Sequence, residues 1–105
     1  NLPLPKGSPL KRGVYALWVW FDGKRLPALA NVGVHPTFEQ AEEPLLEAYL
    51  LKDPERPLYG KELRVEFLRF LRPERAFSSP EELKAQISRD VALALSEVFC
   101  SDGKG

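Results

Sequence analysis

Two stretches concentrate the groups that could do chemistry. In "PLLEAYLL", Glu47 is flanked on both sides by large apolar residues. An ionised carboxylate in such company must be paired, hydrogen-bonded or open to a pocket. Partial burial would raise its pKa and suit it to act as a base. The alternative is a glutamate on a solvated strand face beside an arginine, and the residue pattern alone favours that alternative. In "FLRFLRPERAF", Arg69, Arg72 and Arg75 recur every three residues around a strand end and its loop. They either pair with Glu66 and Glu74 at the surface, where such pairs contribute little, or offer a guanidinium that stacks on or hydrogen-bonds to a flat aromatic ligand. Phe77 close by would help such a site. Spacing leaves the two readings even.

Other familiar catalytic signatures are mostly missing. No GxxxxGK[ST] phosphate loop is present, and the terminal "GKG" is a tail. One histidine and one cysteine cannot build a His/Cys metal cluster, so His35 reads as a loop or pocket-rim residue. Cys100 has no partner for an internal disulfide, which suits a reducing cytoplasm. No nucleophile elbow supports a Ser-His-Asp triad. Fifteen basic residues balance fifteen acidic ones, which argues against broad nucleic-acid or anionic-membrane binding. No apolar run approaches the ~20 residues of a membrane span, and no signal-peptide pattern opens the chain. The expectation is a soluble, cytoplasmic domain without nucleic-acid or membrane partners.

The elements that must position Glu47 and the arginines follow from periodicity. At 105 residues, 44% of them hydrophobic, the chain fits one domain spanning 1–105. Residues 1–11, with three prolines and a glycine, form an irregular lead-in. "GVYALWVWF" (13–21) reads as a strand apolar on both faces, Asp22-Gly23 as a hairpin turn, and "LPALANVGV" as the returning strand. "PLLEAYLLK" (44–52) and "ELRVEFLRFLR" (62–72) complete the strands of the 12–72 region. Beyond them Leu83, Ile87, Val91, Leu95 and Phe99 recur at four-residue steps, which predicts an amphipathic helix over 80–99. Ser79 is its N-cap, Pro80 its first residue, and Glu82 completes a capping box. Several antiparallel strands and one helix indicate a mainly β fold, a small barrel or sandwich with a helix packed on it.

Five stretches in order, "GVYAL", "ANVGVHPTF", "LLEAYLL", "LYGKELRVEFLRFLRPERAFSS" and "EELKAQISRD", give the chain its resemblance to the riboflavin kinase family, specifically the kinase module of bacterial bifunctional riboflavin kinase/FAD synthetases. The resemblance covers about Gly13 to Asp90. It implies a six-stranded antiparallel, Greek-key-like barrel with a C-terminal helix, and Mg²⁺-dependent transfer of the ATP γ-phosphoryl group to the 5′-hydroxyl of riboflavin, giving FMN. It also implies an N-terminal adenylyltransferase domain in the full-length protein. Glu47 matches the family's catalytic glutamate, and Arg72 its arginine on the flavin side, with Arg75, Phe77 and Leu83 as further pocket walls. Leu50, Lys52 and Tyr59 align with the nucleotide side. In "NVGVHPTF", Gly33 and Pro36 would set the backbone path while Asn31 and Thr37 brace it by hydrogen bonds. His35 departs from the Arg or Asn more usual there and takes no role.

The opening "NL" fits the end of the family's PTANL, which makes Asn1 a metal ligand and places the threonine and the glycine-rich loop upstream. Hard oxygen ligands are what Mg²⁺ requires. Two readings of that opening stand: a longer polypeptide whose upstream loop is mobile without ligand, or a fragment lacking the first strand of the barrel. The alternative function is a noncatalytic β-barrel that binds a flavin or a partner protein.

Overall fold

The computed structural model describes residues 2–3, 10–36, 42–58 and 60–100. Four long strands and one of two residues form an antiparallel sheet: β1 (Leu2–Pro3), β2 (Gly13–Phe21), β3 (Lys24–Pro36), β4 (Glu42–Leu50) and β5 (Arg64–Arg72). Helix α1 (Pro80–Glu97) follows. The strand order is β1-β4-β3-β2-β5.

Strand β2 lies between two neighbours in the sheet and is apolar on both faces because each face is covered, one by the main core cluster and the other by α1. Successive side chains point to opposite faces of a strand. Tyr15, Leu17, Val19 and Phe21 join Ala28, Ala30, Val32 and Leu46 in one buried cluster. Ala16 and Trp18 join Leu29 in a second, on which Ala94 and Phe99 pack. The β2–β3 connection is the expected two-residue turn. Asp22 and Gly23 have φ of 50° and 73°, the two positive values a type I′ hairpin turn needs. Along β5 the pairing with β2 jumps past Leu68 and Leu71. These irregularities restore Phe67 and Phe70 to the same face, where both rings meet Tyr15 edge-on at 5.2 Å.

The described residues do not build the expected six-stranded barrel. Closure requires every strand to have two neighbours, and among the described residues β1 and β5 remain the two edges of an open sheet. Its first apolar face is covered by Leu10 from the lead-in and by Leu58 and Leu63 from the connection before β5. The returning strand is longer than "LPALANVGV": β3 runs on through Pro36, so His35, expected in a loop or at a pocket rim, lies in the strand opposite Glu43.

Helix α1 begins as the sequence dictates. Ser79 is extended (φ −153°, ψ 157°) and its hydroxyl accepts from the Glu82 amide at 3.1 Å. The Glu82 carboxylate, however, accepts from the Ser78 hydroxyl at 3.1 Å rather than completing a capping box. The four-residue stripe also needs correction. Each step of four advances the helix by about 400°, so the stripe drifts ~40° per step. By Leu95 it has left the sheet, and that residue is 48% exposed. The residues buried along α1 are Asp90 and Ala94. Phe99 lies past the helix end and regains burial by packing edge-on against Trp18, with 5.0 Å between ring centroids.

Candidate active site

Register brings the site together. Glu47 on β4 lies opposite Asn31 on β3, Asn31 opposite Val14 on β2, and Val14 opposite Arg72 on β5. The four form one row across the sheet, spanning three inter-strand spacings or ~14 Å. The adjacent row on this face, Tyr49, Leu29, Ala16 and Arg69, carries the apolar contacts with Ala94 of α1. Between the Glu47 row, the first half of α1 and the 73–79 connection lies a cleft of ≈ 430 Å³. Its walls are Val14, Ala30, Asn31, Glu47, Ala48, Tyr49 and Arg72 from the sheet, Glu74, Arg75 and Phe77 from the connection, and Leu83, Ile87 and Asp90 from α1.

Arg72 is fixed by α1. Its Nε and Nη2 donate to the two carboxylate oxygens of Asp90 at 2.8 and 2.7 Å, and its Nη1 donates to the Pro73 carbonyl at 3.1 Å. Asp90 is only 3% exposed and also accepts from Gln86 Nε2 at 2.9 Å. Burial alone would raise the Asp90 carboxyl, but the hydrogen bonds from Arg72 and Gln86 and the nearby guanidinium charges outweigh it and hold it below the ordinary carboxylate value. The same hydrogen bonds raise Arg72 against its own burial. With three of its five N–H donors engaged, Arg72 has two N–H groups and the flat faces of its guanidinium left for a ligand. Tyr49 is raised too, by burial and then by the negative charge of Asp90, so its phenol stays a proton donor.

The 73–79 connection is held at two points. Arg75 Nη1 donates to Gln86 Oε1 at 2.7 Å, and its guanidinium lies 4.9 Å from the Phe77 ring centre. One residue earlier, Glu74 accepts from Arg12 and from Asn31.

Glu47 is not buried among its apolar neighbours. Leu46 turns into the core at 1% exposure while Glu47 is exposed and faces the cleft. Its carboxylate is thus the open-to-a-pocket case, and among the described residues no ion pair engages it.

Six sequence-derived candidates therefore share one cleft: Glu47, Asn31, Arg72, Arg75, Phe77 and Leu83. Leu50 and Lys52 do not join them. Leu50 packs against the cluster on the opposite face, and Lys52 is exposed just beyond β4. Asn1, Thr37 and Tyr59 lie outside the described residues. Sequence reasoning missed Asp90, Tyr49, Ile87 and Glu74 as cleft residues. The signal for Asp90 was available, since a lone carboxylate on a helix stripe with Ile87, Val91 and Ala94 must find a cation. Among the described residues no three of His, Cys, Asp or Glu come together to hold a metal ion. Glu74 and Asp90 are already committed to arginines, so this part of the cleft does not by itself fit a bound cation. No helix among the described residues is long and apolar enough to cross a membrane.

Known proteins resemble this chain in sequence and in fold. The chain is 41% identical over 95 residues to the bifunctional riboflavin kinase/FMN adenylyltransferase of Escherichia coli (strain K12), covering 90% of this chain and 30% of that protein. It is 44% identical over 94 residues to the protein of the same description from Pseudomonas fluorescens, again over 30% of its length. The chain thus spans about 30% of the length of the curated relatives it matches. Among solved structures, one described as a macrolide-efflux protein from Streptococcus pneumoniae superposes with a TM-score of 0.69 at 28% identity, over 78% of this chain and 26% of that one. The model of the family described as "Flavokinase: Riboflavin kinase" matches residues 1–98. Because that match takes in every strand, the cleft and all of α1, the chain belongs to the riboflavin kinase family.

Proposed function

We propose that this chain is the kinase module of a bifunctional riboflavin kinase/FMN adenylyltransferase, transferring the γ-phosphoryl group of ATP to the 5′-hydroxyl of riboflavin to give FMN. The observation that carries this reading is the cross-strand row, which sets an open carboxylate, Glu47, and a flat guanidinium, Arg72, in one cleft. The cleft volume lies within the roughly 300–1,000 Å³ usual for small-molecule sites. Phe77, Leu83 and Ile87 supply apolar walls for an aromatic ring system, and the face of Arg72 supplies a stacking surface.

In this reading Glu47 takes the proton of the riboflavin 5′-hydroxyl. The freed oxygen forms the new bond to the γ-phosphorus as the bond between that phosphorus and the bridging oxygen of ADP breaks. ADP leaves with the bonding electron pair. The donor is ATP with Mg²⁺ on its phosphates, which enters as part of the substrate. Such a transfer depends mainly on positioning and charge stabilisation, so a Walker lysine is dispensable. Leu50 lies three residues along β4 from Glu47, about 10 Å at strand rise. Leu50 itself turns to the face opposite the cleft. The nucleotide side, to which the family resemblance assigns Leu50, Lys52 and Tyr59, would therefore lie beyond the flavin cleft. The resemblance likewise assigns Asn1 to the metal and Thr37 to the bracing segment. The adenylyltransferase activity named for the relatives would belong to a separate domain of the full-length protein.

The test is direct. The full chain is incubated with riboflavin and Mg·ATP and assayed for FMN, and riboflavin is titrated calorimetrically with and without a non-hydrolysable ATP analogue and Mg²⁺. ATP-dependent FMN formation is expected, together with flavin binding that tightens with nucleotide. Flavin binding without any FMN formation would instead establish the noncatalytic flavin-binding alternative.

A further inference from the structure

We propose that Glu74 is a positioning residue, a latch that fixes the wall of the cleft formed by Arg75 and Phe77 relative to Glu47. The inference rests on the reading of this cleft as the flavin site. Three observations converge on it. Glu74 Oε1 accepts from Arg12 Nε at 2.9 Å and lies 2.7 Å from Arg12 Nη2. Its Oε2 accepts from Asn31 Nδ2 at 3.2 Å. One carboxylate therefore ties the 73–79 connection to Arg12, the residue just before β2, and to β3, and Asn31 is the residue directly across the ladder from Glu47.

The third observation is Gly33. Its φ is not in the positive region, so its backbone does not call for glycine. What it provides is space. A Cβ at this position would collide with Glu74 Oε2 and would come within 3.3 Å of Glu74 Cδ and 3.2 Å of Asn31 Nδ2. The carboxylate lies against the bare β3 backbone, which gives the glycine of "NVGVH" a purpose that strand geometry does not.

The connection bridges the cleft between two anchors of different kinds. Arg75 ties it to α1 through Gln86 and Glu82, and Glu74 ties it to the sheet. Without Glu74 the connection follows the helix alone, and the distance from Phe77 to Glu47 is no longer set by the sheet. Arg12 is 57% exposed along its side chain, so the pair contributes little to global stability. A purely structural role would show in the melting temperature, whereas the latch shows in local opening and in flavin affinity.

The experiment uses Glu74→Ala and Gly33→Ala in the full chain, with Lys61→Ala, which removes an exposed ion pair to Asp22 far from the cleft, as control. Amide hydrogen exchange of residues 74–78, riboflavin Kd and melting temperature are measured. Both variants should exchange roughly tenfold faster in that segment and bind riboflavin about tenfold more weakly, with an unchanged melting temperature, while Lys61→Ala matches the wild type. Glu74→Gln, which keeps an oxygen for Asn31, should recover part of the affinity, and it carries the test if Glu74→Ala fails to fold. Wild-type exchange and wild-type Kd in both variants would overturn the latch. A wild-type chain that neither binds riboflavin nor makes FMN would overturn the proposed function instead, and segmental exchange would then decide the latch alone.

Discussion

The two faces of the sheet are built from the same strands and do opposite things. One face gathers Tyr15, Leu17, Val19, Phe21, Ala28, Ala30, Val32 and Leu46 in a buried cluster, within which the Tyr15 hydroxyl donates to the Lys11 carbonyl at 2.8 Å. The other face is apolar only under α1. One row beyond the helix contact it carries Asn31, Glu47 and Arg72. A helix covers a limited strip of sheet. Polar groups placed under it would lose water without compensation, and those placed just past its edge keep access to solvent and to a ligand. The chemistry of this molecule lies along that edge.

The sharpest way to separate the faces is to change one residue on each. Glu47→Gln should lower FMN-forming turnover by ~10³-fold, within the span that general-base loss produces, with riboflavin affinity within a few-fold and an unaltered melting temperature. Turnover that survives the change would remove Glu47 from the base role. Leu17→Ala, on the sealed face, should do the reverse: about 3 kcal/mol less stability from the cavity left behind, and an unchanged KM for riboflavin in the protein that remains folded.

Asp90 belongs to both accounts, because it is buried and yet holds a cleft residue. Asp90→Asn should cost about 2 kcal/mol at pH 7, the usual loss for a hydrogen bond to a charged group, and should weaken riboflavin binding through Arg72. The carboxyl titrates below its ordinary value when folded and near ~3.9 when unfolded. Its stabilisation is therefore complete above that range and is lost as pH falls through the folded value. Chemical denaturation of parent and variant across pH should show the gap closing below about pH 4. The smallest effect belongs to the hairpin end, where Lys61 lies 2.9 Å from Asp22 with more than a third of each side chain exposed. There the hydrogen bond from Lys61 lowers the Asp22 carboxyl, and Lys61→Ala should leave the denaturation midpoint within error of the parent.

Local rules carried much of the fold. The type I′ turn at Asp22-Gly23, the bounds of β2 and the Ser79 cap depend on neighbouring residues and were legible for that reason. Closure of the sheet was not, because it depends on which strands become edges, a property of the whole chain. Leu95 was misplaced because a strict four-residue step ignores the drift of a 3.6-residue helix. For the site, Glu47 and the arginines stood out as charges among apolar residues. That Glu47, Asn31 and Arg72 share a row follows from strand register, which no single stretch encodes. Glu74 looked like an ordinary surface acid because its partners lie 43 and 62 residues away.

Trp18 adds a consequence of an optical kind. Its indole lies between the Arg25 guanidinium, 4.1 Å from the ring, and the Phe99 ring just past the end of α1, while Trp20 is less deeply buried and donates to Glu66. Departure of the last helical turn would strip Phe99 from Trp18 and expose the Trp18 indole to water. A Trp20→Phe chain would thus emit from Trp18 alone, and the colour of that emission would follow the docking of α1, the element that carries Asp90 and one wall of the cleft.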